Sequence, residues 1–207
     1  DTAFEAFCFM NCVIFLQNSI KNYAKKHGTD EAVCSFTDFI RQKGKSSNFG
    51  WRPFQIAFIL MNLKGIVDPE HDNREVVDLL YFPTGGGKTE AYLGLMAFVI
   101  ANRRLRADEN DEYNRDGGVT AILRYTLRLL TTQQRDRITK MILAAELIRQ
   151  KEYPKYGKEP ISIGFWVGGT VTPNTFKELE EDPEDPAKTR TARSKKNSIY
   201  KQLLTCP

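Results

Sequence analysis

The distribution of apolar and polar positions predicts helices in four parts of the chain. Residues 3–23 place apolar side chains at helical spacings with few charges, which predicts a largely buried helix. Residues 54–63 form a second apolar stretch, and Pro53 before it suits the first turn of a helix. Residues 88–105 and 129–150 predict two further helices, of which the second is amphipathic.

Three short apolar runs predict β-strands between and after these helices. They cover residues 76–82, 119–125 and 161–167. From residue 76 onward the order is therefore strand, helix, strand, helix, strand. Such an order predicts a parallel sheet with helices on both faces. We therefore expect an α/β fold, preceded by an α-helical N-terminal segment.

The same pattern divides the chain into three parts. Residues 1–48 form the helical N-terminal segment, and residues 49–176 contain the alternating strands and helices. Residues 177–207 carry acids first and bases afterwards, which predicts a charged surface insertion or tail. Because the chain begins with Asp1 and not with Met, we expect it to be a piece of a longer protein.

Composition narrows the class of protein. A chain of 207 residues with 41% hydrophobic residues and a net charge of +4 has ordinary globular composition. Its 4 cysteines form no Cys-x-x-Cys pair, which argues against a disulfide scaffold and favours a cytoplasmic location. The longest nearly apolar stretches, residues 6–16 and 91–101, are shorter than the roughly 20 residues of a membrane span. We therefore expect no membrane partner.

A glycine-rich loop stands between the predicted strand at 76–82 and the predicted helix at 88–105. Its glycines allow successive N–H groups to face phosphate oxygens, and the following helix adds its positive N-terminal end. We expect Lys88 to contact the β- and γ-phosphates as a catalytic residue, and the Thr89 hydroxyl to bind Mg²⁺. The alternative is a simple glycine turn with a solvated Lys88. The candidate nucleotide-binding residues of the loop are Thr84, Gly85, Gly86, Gly87, Lys88, Thr89 and Glu90.

One position of the loop distinguishes classes of nucleotide-binding protein. The general phosphate-loop pattern starts with a glycine that would fall at position 82, where this chain has Phe82. Nucleotide kinases and small GTPases usually keep that glycine, whereas superfamily 2 helicases generally do not. Residues 83–89 resemble motif I of those helicases. The resemblance implies a RecA-like domain, of which this chain would hold the front part, with ATP and Mg²⁺ as cofactors.

An arginine and a glutamine stand upstream of the loop, in the run Trp51-Arg52-Pro53-Phe54-Gln55. This run resembles the adenine-recognition element that precedes motif I in superfamily 2 helicases. A glutamine amide offers one donor and one acceptor, which match the N6 and N7 edge of adenine, and Arg52 can stack on or bond to the base. The alternative is that Gln55 caps a helix and Arg52 is solvated. With motif I downstream, we take Arg52 and Gln55 as candidate ATP-binding residues.

A second polar group follows the predicted strand at 119–125. Residues 126–134 resemble helicase motif Ia, which holds nucleic-acid phosphates, and a double glycine after the third predicted strand resembles another element that approaches nucleic acid. Hydroxyl, guanidinium and helix-start N–H groups suit a phosphate, so the contact would be independent of base sequence. Solvated arginines and a simple turn are the alternatives. The candidate DNA-binding residues are Arg124, Thr126, Arg128, Gln134, Gly168 and Gly169.

Three stretches narrow the resemblance further. Residues 82–94, 103–106 and 124–134 resemble the DrmA helicases of the DISARM antiphage defence system, and the match covers about residues 50–170. The resemblance implies a bacterial ATP-dependent helicase or translocase that binds the backbone of single-stranded or forked DNA and works with a partner subunit. The alternative is an ATP-gated DNA- or partner-binding subunit that does not translocate. A small-molecule kinase is a weaker reading, because of Phe82.

The carboxylate pair of helicase motif II does not occur before Pro207. The acids at 180–182 lie in a polar stretch, which is typical of a solvated charge run. Phosphoryl transfer to water also needs a group that orients the water and a cation across the cleft. We therefore expect the full-length protein to hydrolyse ATP and residues 1–207 alone to bind nucleotide without hydrolysing it. Cys206 with Pro207 resembles half of a zinc knuckle, and a single ligand leaves that reading open.

Overall fold

Helices provide the regular secondary structure of the residues that the computed structural model describes. These are residues 1–27, 50–81, 83, 85–106, 115–124 and 128–165, with side chains described for all except 20–27 and 128–133. Residues 1–162 form one compact unit.

The described residues form four α-helices, as the apolar pattern predicts. Their bounds are Thr2–His27 (α1), Pro53–Val67 (α2), Lys88–Leu105 (α3) and Arg128–Lys151 (α4). A turn of 3-10 helix, Asp72–Glu75, follows α2. Pro53 is the first residue of α2, in agreement with the prediction, because proline has no N–H group to leave unbonded there. The four predicted helices are therefore confirmed.

The core lies where α1 packs against α3 and α4, while α2 packs against α3. The buried positions of α1 recur at intervals of three and four residues, which is the spacing of one helix face. Burial of a large apolar side chain stabilises the fold by on the order of 1.5–3 kcal/mol. The largest fully buried side chains are Phe9, Met10, Val13, Ile14, Ile59, Leu93, Phe98 and Met141.

The predicted strands, unlike the predicted helices, are not formed among the described residues. Within the described part of the chain, residues 76–81, 119–124 and 161–165 have no regular secondary structure. The side chains of Val77, Leu79 and Tyr81 are 94%, 89% and 89% exposed. A strand of a parallel sheet is buried by its neighbouring strands and covering helices, and the described residues provide no such neighbours here. The parallel sheet and the RecA-like fold therefore stay predictions.

The predicted division into three parts also stays a prediction. Helix α1, from the predicted segment 1–48, packs directly on helices of the predicted part 49–176. The boundary between these parts and the whole of residues 177–207, with Cys206, lie outside the described residues. Among the helices that are described, none has the length and apolar character needed to cross a membrane.

A buried arginine connects the C-terminal end of α3 to the loops around it. The Arg104 side chain, 8% exposed, donates four hydrogen bonds of 2.6–3.3 Å. Burial lowers the pKa of the Arg104 guanidinium, but a guanidinium group stays protonated in proteins. A buried charge is tolerated where its donors are satisfied. The acceptors that satisfy them are the carbonyl oxygens of Asp116, Tyr156, Glu159 and Pro160.

A second arginine, Arg149, connects the C-terminal end of α4 to the loop that follows it. Arg149 forms two hydrogen bonds of 2.7 Å with the Glu146 carboxylate and donates to the carbonyl oxygens of Gly157 and Lys158. The Ile161 N–H group donates to the same carboxylate at 2.8 Å. The hydrogen bond from Arg149 is the main reason why the pKa of Glu146 is lowered from 4.5 to about 2. We call Arg104, Glu146 and Arg149 the arginine cluster.

Candidate nucleotide-binding site

The glycine-rich loop turns into α3 through two glycines in the left-handed region. Gly85 has a φ of 81° and Gly87 a φ of 94°, values that favour glycine. A Cβ atom on Gly87 would lie 2.7 Å from Nε2 of Gln55, so a side chain at this position would displace the Gln55 amide. The Gly86 N–H group donates to the carbonyl oxygen of Pro83 at 3.2 Å. The loop therefore makes a tight turn into a helix N-terminus, which is the geometry of a phosphate site.

The two upstream candidates, Arg52 and Gln55, lie against this loop. Nη1 of Arg52 donates to the carbonyl oxygen of Gly86 at 2.6 Å. Nε2 of the buried Gln55 donates to the carbonyl oxygen of Gly87 at 2.8 Å, and its Oε1 accepts the Arg52 N–H group at 2.9 Å. The fold thus brings together two motifs that lie more than thirty positions apart, since these two contacts span 34 and 32 residues.

These contacts use Gln55 differently from the sequence prediction. Both polar atoms of its amide are bonded to protein, and they fix the start of α2 to the end of the loop. Each of these two atoms can form one further hydrogen bond, so Gln55 keeps one donor and one acceptor for a ligand. Adenine recognition by Arg52 and Gln55 stays a prediction, whereas their contact with the loop is observed.

Trp51, the residue before Arg52, contacts helices α1 and α3. Its Nε1 atom donates to Oδ1 of Asn11 in α1 at 2.7 Å. Its ring lies against Gly94 in α3, where a Cβ atom would be 2.6 Å from Cη2 of the indole. Gly94 lies in the interior of α3, and a glycine inside a helix often marks a close approach of another segment. That glycine was the available signal for this packing, while nothing in the sequence indicated Asn11.

The first turn of α3 carries the remaining candidates of the loop. Lys88, Thr89 and Glu90 are all half-buried, and Nζ of Lys88 donates to the carbonyl oxygen of Pro83 at 3.4 Å. The Glu90 carboxylate pairs with Arg137 of α4, with Oε1 and Nη2 3.3 Å apart. Thr84 lies outside the described residues.

A cavity of about 740 Å³ opens over the loop. This volume is within the usual range for sites of small molecules and cofactors. Three cationic side chains and one carboxylate line it, so its charge suits an anionic ligand. The described residues contain no cluster of three His, Cys, Asp or Glu side chains that could hold a metal ion. The lining of this cavity includes Arg52, Gln55, Lys88, Thr89, Gln134 and Arg137.

Of the candidate DNA-binding residues, the structure describes the side chains of Arg124 and Gln134. Arg124 is exposed, and Arg128 is the first residue of α4, with a side chain outside the description. Gln134 lines the cavity over the glycine-rich loop. Thr126, Gly168 and Gly169 lie outside the described residues. The assignment of these residues to DNA stays a prediction, and Gln134 lies with the candidate nucleotide-binding residues.

Arg137 is a site residue that the sequence reasoning missed. It follows Gln134 by three positions and therefore shares its face of α4. That spacing was the only local signal, because the pairing of Arg137 with Glu90 joins two helices.

The glycine-rich loop, the N-terminus of α3 and the cavity over the loop resemble a phosphate loop at a helix N-terminus. Over all 207 residues the chain is 47% identical to the DISARM protein DrmA of Bacillus paralicheniformis. The predicted resemblance to DrmA is therefore confirmed, and it extends beyond residues 50–170 to the whole chain. The chain spans 18% of the length of that protein. No protein-family model matches the chain.

Proposed function

We propose that this chain is part of a DrmA-type subunit of a bacterial DISARM defence system, and that the full-length protein is an ATP-dependent helicase or translocase. The observation that carries the nucleotide part is the convergence of Arg52 and Gln55 on the glycine-rich loop. The 47% identity to a DISARM protein supports the defence part. A cytoplasmic location belongs to the same proposal.

Different residues of the loop would bind different parts of Mg-ATP. The N–H groups at the start of α3, together with Lys88, would bind the β- and γ-phosphates. The Thr89 hydroxyl would bind Mg²⁺, which neutralises charge that develops on the phosphates during transfer. Arg52 and Gln55 hold the loop through its carbonyl oxygens, and from there they face the cavity in which a base would lie.

The DNA part of the proposal rests on the resemblance to motif Ia. Arg124, Thr126 and Arg128 would contact phosphates of single-stranded or forked DNA, without regard to base sequence. Gly168 and Gly169 would allow a close approach of the backbone. A partner subunit of the defence complex would work with this protein, since its relative is a DISARM protein.

ATP hydrolysis by the full-length protein tests this proposal. The rate is measured with and without single-stranded DNA, for the wild type, for Lys88→Ala and for Lys64→Ala, a matched control at the exposed end of α2. We expect hydrolysis that DNA stimulates, that Lys88→Ala abolishes and that Lys64→Ala leaves unchanged. Hydrolysis that survives Lys88→Ala would contradict the site. Hydrolysis that needs Lys88 and ignores DNA would replace the motor with an ATP-gated binding subunit.

A further inference from the structure

Helix α4 forms one wall of the cavity over the glycine-rich loop. It contributes Gln134 and Arg137, which lie one turn apart. The carbonyl oxygen of Arg137 accepts a hydrogen bond of 3.0 Å from Nε2 of Gln17, a buried residue of α1. The backbone of this part of α4 is therefore fixed to the core beside the loop.

Gln134 brings an unsatisfied polar atom to this wall. Its Oε1 atom is buried and has no hydrogen-bond partner among the described residues. A buried acceptor without a partner costs about 1–3 kcal/mol, so native structures seldom keep one without a reason. With a turn of the Gln134 side chain toward the cavity, a hydroxyl or amino group of a ligand would supply the missing donor.

Arg137 brings a guanidinium group that can donate hydrogen bonds to a ligand. Among the described residues its guanidinium forms one ion pair, to Glu90 at 3.3 Å, and the side chain is 41% exposed. An exposed pair of this kind contributes about 1 kcal/mol or less, so an anionic ligand can compete for the guanidinium. A guanidinium presents five donors in a planar arrangement that matches phosphate oxygens.

We infer that Gln134 and Arg137 are nucleotide-binding residues, with Arg137 on the phosphate groups and Gln134 on a hydroxyl or amino group of the nucleoside. The inference rests on the proposed nucleotide site and assigns it a wall from α4. It also moves Gln134 from the predicted DNA contacts to the nucleotide. The sequence separates these residues from the glycine-rich loop, and only the packing of α4 brings them to the cavity.

A series of nucleotides separates this role from a structural one. If Arg137 contacts phosphates, its contribution grows with the negative charge of the ligand, from AMP to ADP to ATP. If Gln134 contacts the nucleoside, its contribution is the same for all three. If the pair with Glu90 merely holds the helices together, then Arg137→Gln and Glu90→Gln lower all three affinities to the same extent.

The experiment measures the binding of AMP, ADP and ATP to the full-length protein by titration calorimetry. We expect Arg137→Gln to weaken ATP binding about tenfold and AMP binding little, with partial recovery in Arg137→Lys, as for a charge-assisted hydrogen bond. Gln134→Ala should weaken all three about fivefold. The matched control is Arg135→Gln, which removes the same charge from α4 at a residue that pairs with Asp136 and does not line the cavity.

Two results would overturn the inference. One is an equal loss for AMP, ADP and ATP in both Arg137→Gln and Glu90→Gln. The other is unchanged nucleotide affinity in Gln134→Ala together with weaker binding to single-stranded DNA, which would return Gln134 to the DNA contacts. The proposed function fails in a different way, because then the wild type binds no ATP or Lys88→Ala binds it as well as the wild type does.

Discussion

The two ends of α3 use polar side chains in opposite ways. At the N-terminal end, Lys88 and Thr89 are half-buried beside a cavity, and Arg52 reaches the loop with a single hydrogen bond. At the C-terminal end, Arg104 is buried and donates to four carbonyl oxygens. Lys88 and Arg104 are sixteen positions apart in the helix, a distance of about 24 Å at 1.5 Å per residue.

The difference shows that residue type alone does not distinguish binding from stability. Arginines stand at both ends, but those of the arginine cluster are satisfied by protein acceptors, whereas Arg52 and Arg137 keep donors that a ligand can use. A satisfied buried charge holds loops together, and a partly exposed one attracts an anion. The variants below test this division, from the largest expected effect to the smallest.

Arg104→Met should have the largest effect on stability. The variant leaves four carbonyl oxygens without the guanidinium donor, and because three of the four hydrogen bonds are only partly buried, we expect a total loss of about 3–5 kcal/mol. Hydrogen exchange of the full-length protein, followed on peptides of α3 and α4, measures the loss. The control Arg106→Met lies two residues further on and should cost about 1 kcal/mol or less. Equal losses in both variants would contradict the role of Arg104.

The pKa of Glu146 predicts a dependence of stability on pH at this same end. The folded pKa of about 2 lies below the unfolded value of 4.5, so the stabilisation is present above pH 4.5 and is lost as the pH falls toward 2. The difference between these two pKa values corresponds to on the order of 3 kcal/mol. Glu146→Gln should remove this dependence, and exchange rates of peptides spanning residues 146–161 measure it. Glu152→Gln, at an exposed carboxylate, should retain the wild-type dependence.

Gly87→Ala should disturb the N-terminal end while leaving the arginine cluster unchanged. A side chain at a φ of 94° is strained, and the added Cβ would displace the Gln55 amide, so we expect a cost of about 1–3 kcal/mol. ATP affinity of the full-length protein should fall, while exchange of the C-terminal end of α3 stays unchanged. Gly50→Ala is the control, because nothing lies within 4 Å of the added Cβ there. Unchanged ATP affinity in Gly87→Ala would contradict the loop as a phosphate site.

Arg128→Ala should have the smallest effect, because one phosphate contact is one of many in a DNA complex. We expect weaker binding of single-stranded DNA by the full-length protein, a slope of affinity against salt concentration that is smaller by about one, and unchanged ATP affinity. Fluorescence anisotropy over a range of salt concentrations measures both quantities. Normal DNA affinity at matched salt would remove Arg128 from the motif Ia contacts.

The helices and the loop could be predicted from sequence because their signals are local. The period of apolar residues gave the four helices, and α3 begins and ends at the predicted residues, Lys88 and Leu105. The glycines at 85 and 87 have the positive φ values that a phosphate loop requires. The resemblance to DrmA was also carried by short runs of residues, and the identity over the whole chain confirms it.

The strands and the walls of the cavity could not be settled in the same way. A strand is completed by partners elsewhere in the chain, and residues 76–81 and 119–124 have no such partners among the described residues. The contacts of Asn11 with Trp51 and of Glu90 with Arg137 join residues that are 40 and 47 positions apart. No periodicity or motif encodes such pairs, since they depend on how whole helices pack.

The sequence by itself determined the local elements: four helices, a glycine-rich loop at the start of α3, and two motifs that suit a nucleotide. Only the tertiary structure decided that Arg52 and Gln55 hold the loop, that Gln134 lies over it, and that Arg104 bonds protein carbonyls. The physical reason is that helix formation and glycine turns depend on neighbouring residues. The satisfaction of a buried donor depends on the acceptors that distant segments bring to it.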